Sequence, residues 1–232
     1  MEILTVIILL AGVIEVARQL GCRAIRLDTY VGNTPARALY ARYGFRQLSD
    51  ACLAQVPEEF RPHGGLIDSN PYALLERPGG WFVADAGANA ILKVNKNTGV
   101  VKNYFGFGPE KTVITAAVAQ EMGLPACVVG KTYAFESVPT DVEYAPDGAL
   151  LVTVLPGGPE DDSLGARGAI WKIPGDFEAY KLASGFLGAT NLAVKPSGRM
   201  FVTELFGNRI VRYEEGVIST VADVPSPAGL EW

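Results

Sequence analysis

Apolar and polar positions follow two different patterns along this chain. In the first part, apolar residues recur at three- and four-residue spacing, as at Val13, Val16 and Leu20, which predicts a buried amphipathic helix ending at Gly21. From Pro71 onward, short apolar runs alternate with turns rich in proline and glycine, which is the pattern of β-strands. The chain therefore divides into an α/β part and a mainly-β part.

The first part has the order helix, strand, helix, strand. After the first helix, a strand is predicted over residues 22–28 and a second helix over residues 35–43. Gly44 suits the C-terminal cap of that helix, and the run that starts at Phe45 begins another strand. This order is typical of a fragment of an α/β fold.

The two parts meet at a predicted junction over residues 51–63. This stretch carries no clear periodicity and contains Pro57 and Pro62, which favour irregular backbone. We therefore expect an α/β fragment over residues 1–50 and a mainly-β segment over residues 64–232.

Three passages in the second part resemble one another, and they begin at Arg77, Ala145 and Lys195. Each contains a Pro-x-Gly turn, an apolar run, a polar loop and a run centred on isoleucine. A further short apolar run precedes each turn, so each unit holds four strands. Four strands per repeated unit is the composition of a β-propeller blade.

The spacing of the units predicts an insertion in the first interval. The aligned turn glycines are Gly80, Gly148 and Gly198, and the first interval exceeds the usual blade period of roughly 40 to 50 residues. We place the insertion within residues 109–135, where the sequence from Ile114 predicts a short surface helix.

The number of units predicts an open propeller. A fourth unit begins at Val224, so the second part holds about three to four blades, and such a series does not close on itself. The expected fold class is mainly β: a partial, open β-propeller preceded by a short α/β fragment. We interpret the chain as a chimeric or truncated product.

Charge and hydropathy exclude some partners. The net charge of −5 argues against nucleic acid and anionic membranes, which both require a basic surface. The apolar run over residues 3–14 is shorter than the roughly twenty residues that span a bilayer. Glu2 stands where a signal peptide would carry basic residues, and no A-x-A cleavage site follows. We therefore favour a buried helix, with a cryptic signal or anchor as the alternative.

The cysteines and the single histidine exclude a Cys/His zinc site. Cys22, Cys52 and Cys127 lie far apart without C-x-x-C spacing, and His63 is the one histidine. We expect free, buried thiols, with one disulfide as the alternative. His63 falls in the predicted junction, where we expect it to be exposed and without a role.

A motif in the first part resembles the GNAT N-acetyltransferase superfamily. The pattern N-x-x-A-x-x-L-Y-x-x-x-G-F begins at Asn33 and ends at Phe45. The resemblance implies that Tyr40 protonates the leaving coenzyme A thiolate and that Asn33 contacts acetyl-CoA. However, no glycine-rich phosphate-binding loop precedes the first helix. We therefore expect no acetyltransferase activity, and we expect Tyr40 and Tyr43 to pack the helix.

The second part resembles the ScyD/ScyE family, which are secreted six-bladed propellers of NHL or strictosidine-synthase-like type. The resemblance rests on the passages from Asp68, Val83 and Ser137, the turn at Pro146, and the run LPGGPEDDSLGARG from Leu155. It implies an exported propeller of unsettled biochemical activity. Related propellers bind ligands or hydrolyse lactones at the central channel, sometimes with calcium.

Five polar residues near the blade loops are candidates for such a calcium site: Asp85, Asn89, Asp141, Asn191 and Asn208. Calcium prefers oxygen ligands of this kind. However, Asp and Asn at strand ends also form turns by bonding their own backbone. We favour the turn-forming interpretation and predict no metal site, and we expect the acidic run over residues 160–162 to be a solvated loop.

The sequence thus favours a ScyD/ScyE-like binding or interaction protein fused to an inactive acetyltransferase remnant. The alternatives are an N-acetyltransferase that uses acetyl-CoA and a lactonase-like hydrolase. The motifs of serine hydrolases, zinc proteases and P-loop proteins are absent. We expect no cofactor, with acetyl-CoA and calcium as the alternatives. The expected partner is a small molecule or a protein, including a second copy held through open propeller edges.

Overall fold

The computed structural model describes residues 50–57, 68–159, 161–175 and 178–232. The first predicted helix, Cys22, Asn33, Tyr40 and His63 lie outside the described residues. No helix in the described ranges has the length and apolar character needed to cross a membrane.

Three four-stranded antiparallel sheets, which we call blades 1 to 3, form the body of the structure. Blade 1 contains β1 (Pro71–Arg77), β2 (Gly80–Asp85), β3 (Ala90–Asn95) and β4 (Val101–Gly106). A two-stranded hairpin follows, made of β5 (Glu110–Val113) and β6 (Thr132–Phe135). Blade 2 contains β7 (Pro139–Tyr144), β8 (Leu150–Val154), β9 (Gly168–Ile173) and β10 (Tyr180–Phe186). Blade 3 contains β11 (Ala189–Val194), β12 (Met200–Glu204), β13 (Arg209–Glu214) and β14 (Val217–Asp223).

Within each blade the strands are neighbours in chain order, and the first strand is the inner one. The inner strand β7 packs against β1 and β2 of blade 1 on one side and against β11 of blade 3 on the other. Up-and-down sheets that pack face to face around their first strands form a β-propeller. The predicted mainly-β, open propeller is therefore confirmed. The observed inner strands are each longer than the apolar runs that predicted them.

Two apolar clusters hold the blades together. The cluster between blades 1 and 2 includes Phe82 and Ile91 from blade 1 and Val152 from blade 2. The cluster between blades 2 and 3 includes Ile170 and Phe186 from blade 2, with several residues of blade 3. Because each blade presents apolar side chains on both faces, a blade buries its core against its neighbours rather than within itself.

The turns between the inner strand and the second strand confirm the Pro-x-Gly prediction, with one correction. Gly148 and Gly198 adopt left-handed φ angles of 83° and 85°, and the equivalent angle in blade 1 belongs to Gly79, at 80°. The alignment that used Gly80 was therefore off by one residue. The reason is that blade 1 has a tighter turn, in which Arg77 pairs directly with Gly80.

The insertion forms a separate side unit, which we call the lateral unit. It consists of the β5–β6 hairpin, a helix over Ala116–Glu121, a 3₁₀ turn over Ala126–Val128, and a short helix over Asp50–Leu53. The helix predicted from Ile114 is confirmed, and Thr115 caps it by accepting a bond from the Val118 N–H at 3.2 Å.

A disulfide joins Cys52 to Cys127 within the lateral unit. The expectation of free thiols was therefore wrong for these two residues. The two cysteines are distant in sequence and no local pattern indicates that they are close. They meet because the insertion folds back onto the short helix that carries Cys52. Val56, Ile114 and Ala119 form a small buried cluster beside the bond.

Candidate functional site on the inner strands

The inner strands share one local geometry. Each pairs with its neighbour through a β-bulge between its first and third residues. The third residues are Ala73, Asp141 and Asn191, and the fourth residues are Leu74, Val142 and Leu192. A bulge re-aims the side chain that follows it. In blades 2 and 3 it presents a polar side chain to the next inner strand.

Asp141 and Asn191 use these positions to make the same bond. The Oδ2 atom of Asp141 accepts from the Leu192 N–H at 2.8 Å, and its Oδ1 atom accepts from the Val142 N–H at 2.9 Å. One blade further, Asn191 Oδ1 accepts from the Leu230 N–H at 2.6 Å. The bond therefore repeats from blade 2 to blade 3, and from blade 3 to residues 224–232, which we call the tail.

A pair of threonines repeats in the same way. The Thr140 hydroxyl donates to the carbonyl oxygen of Ala189 at 2.9 Å, and the Thr190 hydroxyl donates to that of Pro227 at 3.1 Å. Both hydroxyls are buried. A buried hydroxyl without a partner would cost free energy, so these bonds fix the position of the next inner strand.

Asn89 and Asn208 anchor the same segments from the turns between the second and third strands. Both have left-handed φ angles, 52° and 49°, which asparagine tolerates better than most residues. Asn89 Oδ1 accepts from the Val138 N–H and Asn208 Oδ1 accepts from the Ser226 N–H, each at 2.9 Å. The side chains bond backbone, as the turn-forming interpretation expected, but the donors belong to the next repeat rather than to their own turn.

Asp85 and Glu204 close the ends of equivalent strands as fully buried carboxylates. Asp85 accepts from the Ser69 hydroxyl at 2.6 Å and from the Asn70 N–H at 2.7 Å. Burial alone would raise the pKa of Asp85, but these hydrogen bonds outweigh it and hold the pKa below its usual value. Glu204 accepts from the Leu187 N–H at 3.1 Å and pairs with Arg209.

Asp141 and Glu143 on β7 and Glu231 in the tail carry three carboxylates that influence one another electrostatically. Burial raises the pKa of Asp141 to about 6, and the Glu231 charge adds to the effect. Burial, followed by the charges of Asp141 and Glu231, raises the pKa of Glu143 to about 7. Glu143 can therefore gain or lose a proton near neutral pH, or bind a positive group.

These residues do not fit a calcium ion. Both Asp141 oxygens and the Asn191 oxygen already accept a backbone N–H bond each, so one lone pair of each oxygen is directed at the protein. Calcium needs six to eight oxygen ligands that converge on one point. In the part of the chain that the structure describes, no three His, Cys, Asp or Glu side chains lie close enough together to hold a metal ion.

The structure brings together some predicted residues and separates others. Asp141 and Asn191 lie on adjacent inner strands, whereas Asp85, Asn89 and Asn208 lie in separate strand ends and turns. Sequence reasoning missed Glu143, Glu231 and the threonine pair. The runs Pro-Thr-Asp-Val at residues 139–142 and Ala-Thr-Asn-Leu at residues 189–192 carried the signal, because they place Thr140 and Thr190 in register.

A cavity of about 280 Å³ lies on the outer strands of blade 3. It is lined by Arg212, Glu214, Glu215, Val217 and Ser219. It lies on β13, β14 and the turn between them, so it is separate from the three carboxylates.

Comparison with protein families finds one match in the first part of the chain. Residues 8–45 match the acetyltransferase (GNAT) family, a range that contains Asn33 and Tyr40 and lies outside the described residues. No curated protein sequence matches the chain.

Comparison with solved structures finds several that resemble the second part. A putative gluconolactonase is 15% identical over 64% of this chain and 47% of its own, with a TM-score of 0.41. A luciferin-regenerating enzyme is 13% identical over 67% and 48%, with a TM-score of 0.43. Regucalcin from Agrobacterium tumefaciens, a calcium-binding protein, is 16% identical over 65% and 44%, also with a TM-score of 0.43.

The chain spans about half the length of these three solved structures. Likeness at this level carries no function from one protein to another. The assignment of an open propeller therefore rests on the three blades of this chain and on the bonds that repeat between them.

Proposed function

We propose that the propeller part is a binding module of the ScyD/ScyE type, fused to an acetyltransferase-like segment that has no activity of its own. The observation that supports this most is the use of the inner-strand polar atoms. Asp141, Asn191 and the two threonines bond the next repeat, so they serve to hold the blades in place.

A hydrolase at the same place would need a cation or a pair of free polar groups that act on one substrate bond. The atoms best placed to hold a cation are occupied by backbone donors. Glu143 is a single group with a pKa near neutrality. Its neighbours Asp141 and Glu231 are also acidic, so they repel its charge and do not supply a second group of opposite character. This arrangement favours binding over catalysis.

The charge of the site indicates the kind of ligand. Among the ion pairs of the described residues, none involves Glu143 or Glu231. A positively charged group on a small molecule or a protein would relieve the repulsion among the three carboxylates. Binding of such a group favours the ionised form of Glu143, so it should release protons near pH 7.

A titration with 1,5-diaminopentane tests this proposal. We expect binding to the chain that is stronger at pH 8 than at pH 6, with proton release, and at least about tenfold weaker binding for Glu143→Gln. Glu121→Gln, an exposed glutamate on the lateral unit, serves as the matched control and should bind like the unmodified chain. Equal binding by both variants would contradict the proposal.

Thermal unfolding of the chain with increasing calcium tests the hydrolase alternative. A ligand that binds only the folded state raises the melting temperature as its concentration increases. We expect no such rise with calcium, because the inner-strand oxygens are already bonded. A substantial rise would favour the lactonase-like hydrolase instead.

The acetyltransferase alternative has one observation in its favour, which is the family match over residues 8–45. If the segment is active, Asn33 contacts acetyl-CoA and Tyr40 acts as the acid. Titration with acetyl-CoA distinguishes the two proposals. We expect no heat of binding, whereas binding that Asn33→Ala weakens would restore the acetyltransferase interpretation.

A further inference from the structure

Blade 1 carries an apolar face that neither of the other two blades in the described residues covers. Leu74, Val83 and Leu92 are paired across β1, β2 and β3, so they share one face of the sheet, and Trp81 and Val94 extend it. We call this the leading face. Leu74 is 68% exposed, although it lies on an inner strand.

The same positions are buried in the other two blades. Val142 and Val152 of blade 2 occupy the positions of Leu74 and Val83, and they pack against blade 1. In blade 3 these positions belong to Leu192 and Val202, which pack against blade 2. The leading face of blade 1 therefore has the composition and register of a blade-to-blade interface.

Blade 3 carries the opposite half of such an interface. Its side away from blade 2, which we call the trailing face, presents Phe201 and Ile210 at the positions of Leu151 and Ile170. Those two residues of blade 2 are buried against blade 3. Phe201 and Ile210 are only partly buried. The leading face and the trailing face thus match the two halves of the interfaces that already join blades 1 and 2 and blades 2 and 3.

The tail shows how the trailing face receives a strand. It binds through the main-chain N–H of Leu230 and the carbonyl of Pro227, with the same spacing that places Pro71 before Leu74 in β1. Because these bonds use main-chain atoms, β1 of another molecule can make them equally well.

Charges on the two faces are complementary. Trp232 follows Leu230 by two positions, as Glu76 follows Leu74, and the Lys195 ammonium lies 3.5 Å from the centre of the Trp232 ring. If β1 takes the place of the tail, the exposed carboxylate of Glu76 reaches Lys195, and an ion pair replaces the cation–π contact.

We infer that the leading face of blade 1 docks on the trailing face of blade 3 in a second copy of this chain, with β1 replacing the tail. Glu231 then leaves Glu143, whereas Asp141 and Glu143 stay together on β7. When each copy docks on the other, six blades form a closed ring, which is within the usual range of propellers. Such a head-to-tail contact ends at two copies because the rotation closes.

Solution mass tests the inference. All variants carry Cys22→Ser, so that this cysteine cannot form an interchain disulfide. By light scattering at about 100 µM, a concentration that reveals micromolar affinity, we expect twice the chain mass of 24.7 kDa. Leu74→Asp should give the single-chain mass. Val113→Asp is the matched control, since Val113 is also an apolar, exposed residue, 56% exposed on the lateral unit, and it should leave the doubled mass unchanged.

Charge reversal tests the register of docking. We expect Glu76→Lys and Lys195→Glu each to raise the dissociation constant roughly tenfold, and the double variant to restore it to within about threefold. A single-chain mass for the Cys22→Ser reference protein, a ladder of larger species, or single reversals that the double variant does not rescue would each overturn the inference. A Leu74→Asp variant that has the same mass as the reference protein but a lower melting temperature would also overturn the inference. Another segment of the same chain would then cover the leading face.

Discussion

The blades and the lateral unit are stabilised in different ways. The two clusters between the blades contain large side chains that are almost fully buried, such as Phe186 and Ile170. The lateral unit has a smaller cluster around Ile114 and Val128, together with the disulfide between Cys52 and Cys127. A small apolar core supplies little stability, and a covalent bond compensates for it. The repeated blades need no such bond because each face is buried by the next repeat.

Removal of a large side chain between the blades should have the largest effect. Phe186→Ala leaves a cavity in the cluster between blades 2 and 3, and we expect a loss of about 3–5 kcal/mol in the free energy of unfolding. Tyr180→Ala, on the same strand but 47% exposed, should change it by about 0.5 kcal/mol or less. Denaturant unfolding measures both. A similar loss for the two variants would contradict the division between buried and exposed residues.

Loss of the disulfide should have a smaller and more local effect. Cys52 and Cys127 are 75 positions apart, and opening a loop of this size costs roughly 2–4 kcal/mol of stability. We expect Cys127→Ser to speed amide hydrogen exchange first in residues 50–57 and in the 3₁₀ turn over Ala126–Val128. Mass-spectrometric exchange measures this. An equal acceleration in β8 and β9 would show that the lateral unit and the blades unfold as one.

Neutralising Glu143 should have the smallest effect, and a pH-dependent one. Its pKa rises from 4.5 to about 7 on folding, so the folded chain holds a proton more tightly and stability falls as pH rises through that window. We expect Glu143→Gln to stabilise the chain at pH 8 by on the order of 1 kcal/mol after solvent screening, and to change little at pH 4. Thermal unfolding at both pH values measures this, and Glu121→Gln should show no such difference. Stabilisation that is equal at both pH values would contradict the pKa assignment.

The sequence was sufficient for the blades but not for their contacts. The Pro-x-Gly turns and alternating runs are local signals, so the strands of all three blades and the helix after Ile114 could be predicted. The disulfide and the bond from Asp141 to Leu192 join residues more than 50 positions apart. Such contacts depend on how the repeats stack, and no local pattern encodes the distance between them.

The carboxylates were missed for a related reason. Glu143 and Glu231 lie on different repeats and resemble ordinary charged residues in the sequence. They approach one another only because the tail occupies the place of the next inner strand. Asp141, in contrast, is one of the five polar residues that the sequence singles out, but no local pattern indicates that it accepts a bond from the next blade.

The central claim is that Asp141 holds blade 3 in place rather than a metal ion. The most direct test is the free energy of unfolding of Asp141→Asn and Asp141→Ala at pH 7, with and without calcium. Asparagine keeps an acceptor for the Leu192 N–H, as Asn191 does one blade further, but its NH₂ group cannot accept from the Val142 N–H. Alanine leaves both donors without their acceptor. We predict a loss of about 1–3 kcal/mol for Asp141→Ala, a smaller loss for Asp141→Asn, and no effect of calcium on any of the three proteins. Equal losses for both variants, together with stabilisation of the unmodified chain by calcium, would contradict the account.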